Sequence, residues 1–253
     1  MNRLRPDTPA DWRALAAALA LRLTPQSCRM LGVSGGQGAG KSTLSMLLEQ
    51  AFRLQGIRLL VLSLDDFYLS HAERQILGTR EHPLLATRGV PGTHDVERLM
   101  DTLAAVFEPG RHRLPRFDKG LDDRDPEPVW FAGPADIVVI EGWCIGARPQ
   151  PVEQLSTPVN DLEREQDPDG RWRRYVNAAL AGSYQQLFGR IDQLLYLAVP
   201  DIGAVIRWRG EQEFHRPQAL RMSENAIREF VAHYQRLTEW MLLTTPEAAD
   251  FVG

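Results

Sequence analysis

The sequence is short of cysteine, and this shortage excludes two classes of protein. Among its 253 residues only Cys28 and Cys144 are cysteines, too few for a disulfide framework and without the spacing of metal ligands. Long apolar runs are also missing, since no stretch approaches the roughly 20 residues that a membrane helix needs. Residues 14–21 are apolar, but acidic residues precede them and Arg22 follows, so we expect a surface helix there rather than a targeting peptide. We therefore predict a cytoplasmic protein without a membrane partner.

Neither sign of charge is in large excess. The chain has 29 basic and 33 acidic residues and a net charge of −4, so nothing indicates a nucleic-acid partner. The guanine-binding motif Asn-Lys-x-Asp is absent from the sequence, which argues against a GTPase switch. The length predicts a single domain over residues 1–253 with a full hydrophobic core. We place lid or insert segments in it at about 78–125, 149–175 and 203–222.

The strongest motif is a glycine-rich loop. Residues 35–42 read Gly-Gly-Gln-Gly-Ala-Gly-Lys-Ser and fit the phosphate-loop pattern G-x-x-x-x-G-K-[ST]. An apolar run precedes the loop and a helical pattern follows it, so an ordinary glycine turn is the weaker interpretation. Backbone N–H groups at a helix start bind phosphate, while Lys41 would reach the β- and γ-phosphates and Ser42 would bind Mg²⁺. We predict ATP and Mg²⁺ as cofactors, with nucleotide contacts from Gly35, Gly36, Gln37, Gly38, Ala39, Gly40, Lys41, Ser42 and Thr43.

Two carboxylates follow the second predicted strand. Residues 57–64 are nearly all apolar, as in a parallel strand that is covered on both faces, and Asp65 and Asp66 come next. Ligands of open α/β sheets bind beyond the carboxyl ends of the strands, so these side chains would face the γ-phosphate. A carboxylate there could accept the proton of an attacking hydroxyl or hold Mg²⁺ through water. The alternative is that both merely cap the next helix.

A third apolar strand also ends on a carboxylate. Residues 136–142 resemble a Walker-B strand, and Glu141 would face Mg²⁺ or its water shell, unless it is a capping or structural group. Together these strands predict an α/β fold, namely a three-layer P-loop NTPase sandwich with a mostly parallel central sheet and a helical lid.

Helices and loops are predicted between and after these strands. Asp11 is expected to cap a helix to about Leu23, a helix follows the phosphate loop to Leu54, and Asp95 should cap another. The remaining predicted elements are a capping-box helix from Ser70 to about Leu77, a turn-rich loop at 78–94, a surface excursion at 149–170, a helix containing Trp172, a strand at 194–199, a helix from Ile202, a loop at 215–217 and a packing helix at 223–243.

Two charged segments allow more than one interpretation. Residues 111–125 mix both signs of charge, which is typical of a solvated loop but also suits a basic pocket for an acidic substrate. The helix from Ile202 carries Arg207 and Arg209, which fit either a lid that closes on ATP or a solvated helix face.

Several motifs together resemble a known kinase family. The phosphate loop, Ser63–Tyr68 and the arginine-bearing segment resemble the phosphoribulokinase, uridine kinase and pantothenate kinase superfamily. More narrowly, the chain resembles D-glycerate 3-kinases of the plant type and their bacterial relatives. The motifs that carry this resemblance extend from about residue 30 to residue 240 and are Arg88–Asp95, Pro115–Lys119, Asp123-Arg124, Val139–Trp143 and Trp208-Arg209.

This resemblance implies ATP-dependent phosphorylation of a D-glycerate hydroxyl, giving 3-phospho-D-glycerate. Asp65 matches the catalytic aspartate of the superfamily, and Lys41 and Arg209 would neutralise phosphate charge. The metal would be held by Ser42, Asp65 and Glu141. The implied acceptor-binding residues are Asp66, Tyr68, Arg88, His94, Arg116, Lys119 and Arg124. The turn at 120–124 departs from the family pattern. The alternatives are a kinase for a nucleoside-type or pantothenate-type acceptor and a regulatory P-loop ATPase.

Overall fold

A five-stranded sheet forms the centre of the molecule. The structure, a computed structural model, describes residues 10–127, 129–214 and 221–253. In these ranges the strands are β1 (Met30–Gly35), β2 (Leu59–Ser63), β3 (Gly110–Leu114), β4 (Phe117–Asp118), β5 (Asp123–Arg124), β6 (Val129–Gly133), β7 (Ile137–Gly142), β8 (Gln193–Leu197) and β9 (Phe251–Val252). The central sheet has the order β2-β7-β1-β8-β9, and all its neighbouring strands are parallel. The predicted α/β class and parallel sheet are thus confirmed.

Helices cover both faces of this sheet. They are α1 (Ala10–Arg22), α2 (Lys41–Leu54), α3 (His71–Arg80), α4 (Val96–Val106), α5 (Asp161–Gln166), α6 (Arg171–Ala179), α7 (Gln185–Phe188), α8 (Ile202–Phe214) and α9 (Glu224–Ala248). Successive strand residues point to opposite faces. Val139 of β7 therefore packs with α1 and α2, whereas Val138 and Ile140 pack with α4 and α9. This arrangement confirms the predicted three layers.

The strand register brings three predicted site segments to one edge of the sheet. Val33 of β1 and Ser63 of β2 both align with Glu141 of β7. The chain leaves β1 into the phosphate loop and leaves β2 into a 3₁₀ helix, Leu64–Phe67, that contains Asp65. Because these strands are parallel, their carboxyl ends lie together, at the position where ligands bind in such sheets.

Several local predictions are confirmed. The Ser70 hydroxyl and the Glu73 carboxylate form the predicted capping box of α3, although this helix continues past Leu77 to Arg80. Asp95 caps α4 by accepting a hydrogen bond from Arg98 N at 3.1 Å. One cap is corrected, because α1 already includes Ala10 and Asp11 therefore lies in its first turn.

Two segments predicted as loops are more structured than expected. The charged stretch at 111–125 contributes β3, which pairs with β6 in an antiparallel ribbon, and the short antiparallel pair β4 and β5. Residues 149–170 include a 3₁₀ helix, Val152–Leu155, and α5, and Glu163 and Asp167 in this stretch are fully buried. The predicted loop at 215–217 lies outside the described residues. Within the described ranges, none of the helices combines the length and apolar character that crossing a membrane requires.

Candidate functional site

The phosphate loop joins β1 to α2 through two left-handed glycines. Gly38 and Gly40 have φ values of 84° and 90°, a conformation that costs other residues energy. A Cβ atom would also lie 2.6 Å from Trp208 Cβ at Gly38, and 2.5 Å from the Trp12 ring at Gly40. Both conformation and close packing therefore require glycine at these two positions.

Lys41 and Ser42 lie at the start of α2. Lys41 Nζ donates to the carbonyl oxygens of Gly35 at 2.8 Å and Gly36 at 3.1 Å, so its charge is held at the loop. Burial lowers the pKa of Lys41, although the nearby carboxylates of Glu141 and Asp65 oppose this shift.

Ser42 and Glu141 meet across the end of the sheet. Ser42 Oγ donates to Glu141 Oε1 at 3.4 Å, and burial raises the pKa of Glu141 while the charge of Lys41 lowers it. Among the residues that the structure describes, no group of three or more His, Cys, Asp or Glu could hold a metal by itself. Mg²⁺ usually takes one or two protein oxygens and completes its shell with water and substrate phosphates, so this hydroxyl and carboxylate suit that ion.

Asp65 is held by two partners. Tyr68 donates its hydroxyl to Asp65 Oδ1 at 2.9 Å, and Lys119 Nζ donates to Oδ2 at 2.6 Å. Burial would raise the pKa of Asp65, but the charge and hydrogen bond of Lys119 outweigh it, and the pKa is below its usual value. Asp65 is therefore ionised at neutral pH.

Asp66, which follows β2, forms polar contacts with the start of β4. Its Oδ1 accepts from Phe117 N at 3.2 Å, and its Oδ2 lies 3.4 Å from Arg116 Nη1. Burial raises the pKa of Asp66, while the charge of Arg116 opposes the shift. The two adjacent aspartates thus both contact residues 116–119, Asp65 through Lys119 and Asp66 through Arg116 and Phe117.

These residues line one cleft of about 860 Å³. Lys41, Ser42 and Glu141 lie with the phosphate loop on one side of it. The predicted acceptor and lid residues that also line it are Asp65, Asp66, Tyr68, Arg88, Arg116, Lys119 and Arg209. Arg209 Nη2 lies 2.6 Å from Glu213 Oε1, and its guanidinium lies over the ring of Phe230.

Two predicted acceptor residues, His94 and Arg124, are not among the residues that line the cleft. Arg124 Nη2 lies 3.0 Å from a Glu73 oxygen and 3.1 Å from an Asp95 oxygen. His94 stacks on Tyr68 with ring centroids 4.4 Å apart, and burial lowers its pKa to about 4. His94 therefore packs against a residue that lines the cleft, whereas the guanidinium of Arg124 is paired with carboxylates outside it.

Two residues without a predicted site role lie in the cleft wall or directly behind it. Tyr234 lies in the predicted packing helix at 223–243, yet it lines the cleft and donates its hydroxyl to Arg88 O at 3.3 Å. Arg74 contacts three segments behind the cleft wall. A tyrosine hydroxyl among the apolar residues of α9 is a sequence signal that could have indicated a site role for Tyr234. Nothing in the local sequence indicates that Arg74 is buried beside the cleft.

Known proteins resemble this chain over most of its length. An uncharacterized kinase, mug58, from Schizosaccharomyces pombe is 37% identical over 218 residues, which are 81% of this chain and 78% of that protein. The chloroplastic D-glycerate 3-kinase of Arabidopsis thaliana is 30% identical over 220 residues, and the match covers 81% of this chain and 46% of the plant protein.

A solved structure has the same fold. The structure of D-glycerate 3-kinase from Cryptococcus neoformans matches with a TM-score of 0.76 and 28% identity, over 92% of this chain and 89% of that one. No protein-family model matches the chain. The site and these relatives identify an ATP-dependent phosphotransferase that acts on a small molecule. The chain belongs to the D-glycerate 3-kinase-related family of P-loop kinases.

Proposed function

We propose that this protein transfers the γ-phosphoryl group of ATP to a hydroxyl of D-glycerate and forms 3-phospho-D-glycerate. The observation that carries the proposal is the grouping of three cationic side chains, Arg88, Arg116 and Lys119, in the cleft that also contains Asp65. An acceptor that combines a carboxylate with a nearby hydroxyl matches both features. The relatives named as D-glycerate 3-kinases support this choice of acceptor.

The cationic wall suits a small carboxylate. Arginine presents a planar fork of N–H donors that matches a carboxylate, and lysine adds a compact charge. Each of the three cations contacts an aspartate of the site, because Arg88 pairs with Asp122, Arg116 with Asp66 and Lys119 with Asp65. These pairs hold the cations in place before an acceptor arrives, which reduces the entropy that binding must remove.

Asp65 is the proposed partner of the acceptor hydroxyl. In the transfer, the bond between the γ-phosphorus and the β–γ bridging oxygen breaks, the acceptor oxygen bonds to that phosphorus, and ADP leaves. The hydroxyl proton passes to the Asp65 carboxylate. Because the low pKa of Asp65 makes it a weak base, we assign it mainly to orienting the hydroxyl, which suits a transition state that needs little proton abstraction.

Lys41 and Arg209 would neutralise charge on the transferred group. Lys41 is fixed at the phosphate loop by two carbonyls, and Arg209 reaches the cleft from α8. Ser42, Asp65 and Glu141 would hold Mg²⁺, which would offset the negative charge of the ATP phosphates.

The test is ADP release by the purified protein with ATP and Mg²⁺. D-Glycerate, L-glycerate, uridine, pantothenate and no acceptor are compared side by side. We expect turnover with D-glycerate only, with the product identified by NMR. Turnover with another acceptor alone would reject glycerate and keep the kinase assignment, whereas equal turnover without any acceptor would favour an ATPase.

A further inference from the structure

Arg74 of α3 joins three segments behind the cleft wall. The residue is only 1% exposed. Its guanidinium donates to Leu69 O at 3.1 Å, Ala86 O at 2.9 Å and Asp122 O at 2.7 Å, and each of these carbonyls lies within two residues of a cleft residue. Arginine keeps its charge when buried, so it needs a negative partner as well as these dipoles.

Asp122 supplies that negative charge. Its Oδ2 lies 2.9 Å from Arg74 Nη2 and 3.1 Å from His71 Nδ1, and its Oδ1 accepts from Arg88 Nη1. One carboxylate therefore links a fully buried arginine to an arginine of the cleft.

The backbone of Asp122 is in the left-handed region. Its φ is 55°, and it is the one non-glycine residue with positive φ in the part of the chain that the structure describes. This conformation costs most non-glycine residues energy, although aspartate tolerates it better than most. The contacts of the Asp122 side chain must offset that cost, which indicates a role for the carboxylate rather than for the turn alone.

Arg88 is thereby held on several sides. Besides the pair with Asp122, its Nη2 donates to Lys119 O at 3.4 Å, and its guanidinium lies 5.5 Å from the centroid of the Phe117 ring. An unrestrained arginine has many rotamers, and binding of an acceptor would have to remove that freedom. A guanidinium fixed in advance binds a carboxylate at lower entropic cost.

We propose that Asp122, anchored by Arg74, is a positioning residue that holds the Arg88 guanidinium for the carboxylate of a small hydroxy acid. This inference rests on the proposed function, because it assigns Arg88 to the acceptor. Asp122 acts through Arg88 and does not itself contact the acceptor. The turn at 120–124, whose sequence departs from the family pattern, thus takes part in acceptor binding.

The test is steady-state kinetics of Asp122→Asn. Asparagine keeps the shape of the side chain and tolerates the left-handed backbone, but it removes the charge that holds Arg88. We expect the KM for D-glycerate to rise about tenfold, as for the loss of one charge-assisted hydrogen bond, while kcat and the KM for ATP change by less than about twofold. The control is Asp161→Asn, because Asp161 also pairs with an arginine, Arg164, but both side chains are mostly exposed and neither lines the cleft.

A double-mutant cycle separates positioning from a structural role. In an Arg88→Ala background, Asp122→Asn should change the KM for D-glycerate by less than about twofold, because both changes remove the same interaction. Asp122→Gly, which suits the backbone, replaces Asp122→Asn if the latter fails to fold. The inference would be overturned by an unchanged KM for D-glycerate in Asp122→Asn, or by a fall in kcat as large as the rise in this KM. Full additivity of the Asp122→Asn and Arg88→Ala effects would also overturn it. If the wild-type protein turns over no hydroxy acid, the proposed function fails, and this inference fails with it.

Discussion

Asp65 is the side chain with the most direct proposed role in transfer. Removing its charge while keeping its size, as in Asp65→Asn, should lower kcat about 10²- to 10⁴-fold, the usual contribution of a positioned acid or base. The KM for ATP should change less than kcat, because the phosphate loop, Ser42 and Glu141 remain to bind the nucleotide and its Mg²⁺. The measurement is kcat with saturating substrates, accompanied by circular dichroism to verify folding. A folded variant with near wild-type turnover would remove Asp65 from this role.

Lys119 sets the pH range in which Asp65 is ionised. Lys119 lowers the pKa of Asp65 against the effect of burial, so the ionised form persists below the ordinary pKa of an aspartate. In Lys119→Met the effect of burial is less opposed, the pKa rises, and the acid limb of the kcat/KM profile should move to higher pH. The control is Arg113→Met, which removes an exposed cation of β3 that does not line the cleft. An acid limb that stays in place would show that Asp65 does not control the profile.

Residues with a role fixed by local pattern could be predicted, whereas residues that depend on distant partners could not. The glycine spacing and the following Lys41 are visible in eight consecutive residues. The burial of Arg74 depends on carbonyls at residues 86 and 122, which only the folded chain brings to α3. For the same reason, Arg124 was expected at the acceptor, while the fold pairs it with Glu73 and Asp95.

At the scale of elements, a buried ion pair fixes α5 to α9. Arg236 of α9 donates to Glu163 through Nε at 2.7 Å and Nη2 at 2.6 Å. Glu163→Ala would leave the largely buried Arg236 without its carboxylate, so we expect a loss of about 3–5 kcal/mol in the free energy of unfolding. Urea denaturation measures this loss.

The matched control is the exposed pair of the same helix. Asp161 pairs with Arg164, and both side chains are mostly exposed, so Asp161→Asn should cost less than about 1 kcal/mol. Equal effects of the two substitutions would mean that residues 149–170 are the loosely attached surface excursion that their composition predicts.

The central strands were predictable, but the ribbon and the edge strand were not. Residues 137–140 are apolar throughout, as a strand covered on both faces must be. In contrast, β3 consists mainly of charged and polar residues, and its partner β6 follows only after β4 and β5, so pairing rather than hydrophobic pattern defines it. Strand β9 spans only two residues and exists through its pairing with β8.

At the scale of the whole molecule, we propose that residues 1–253 form one domain, because one sheet carries both helical layers and the site. We expect one cooperative thermal transition. ATP with Mg²⁺ should raise the Tm of this single transition, because bound nucleotide adds about 2.7 kcal/mol to the free energy of unfolding at a concentration 100 times Kd. Differential scanning calorimetry is the measurement, with EDTA to isolate the contribution of the metal. Ser42→Ala should reduce that contribution. Two transitions, of which only one responds to ATP, would contradict the single-domain proposal.

The position of β1 in the middle of the sheet has a consequence for how the chain is made. This strand begins at Met30, but its two neighbours begin at Ile137 and Gln193. At a synthesis rate of about 5–20 residues per second, β1 waits on the order of ten to thirty seconds for its second neighbour to leave the ribosome. Until then its apolar side chains and unpaired backbone groups are exposed to other nascent chains. We therefore expect the strand that leads into the phosphate loop to be a binding site for chaperones during translation.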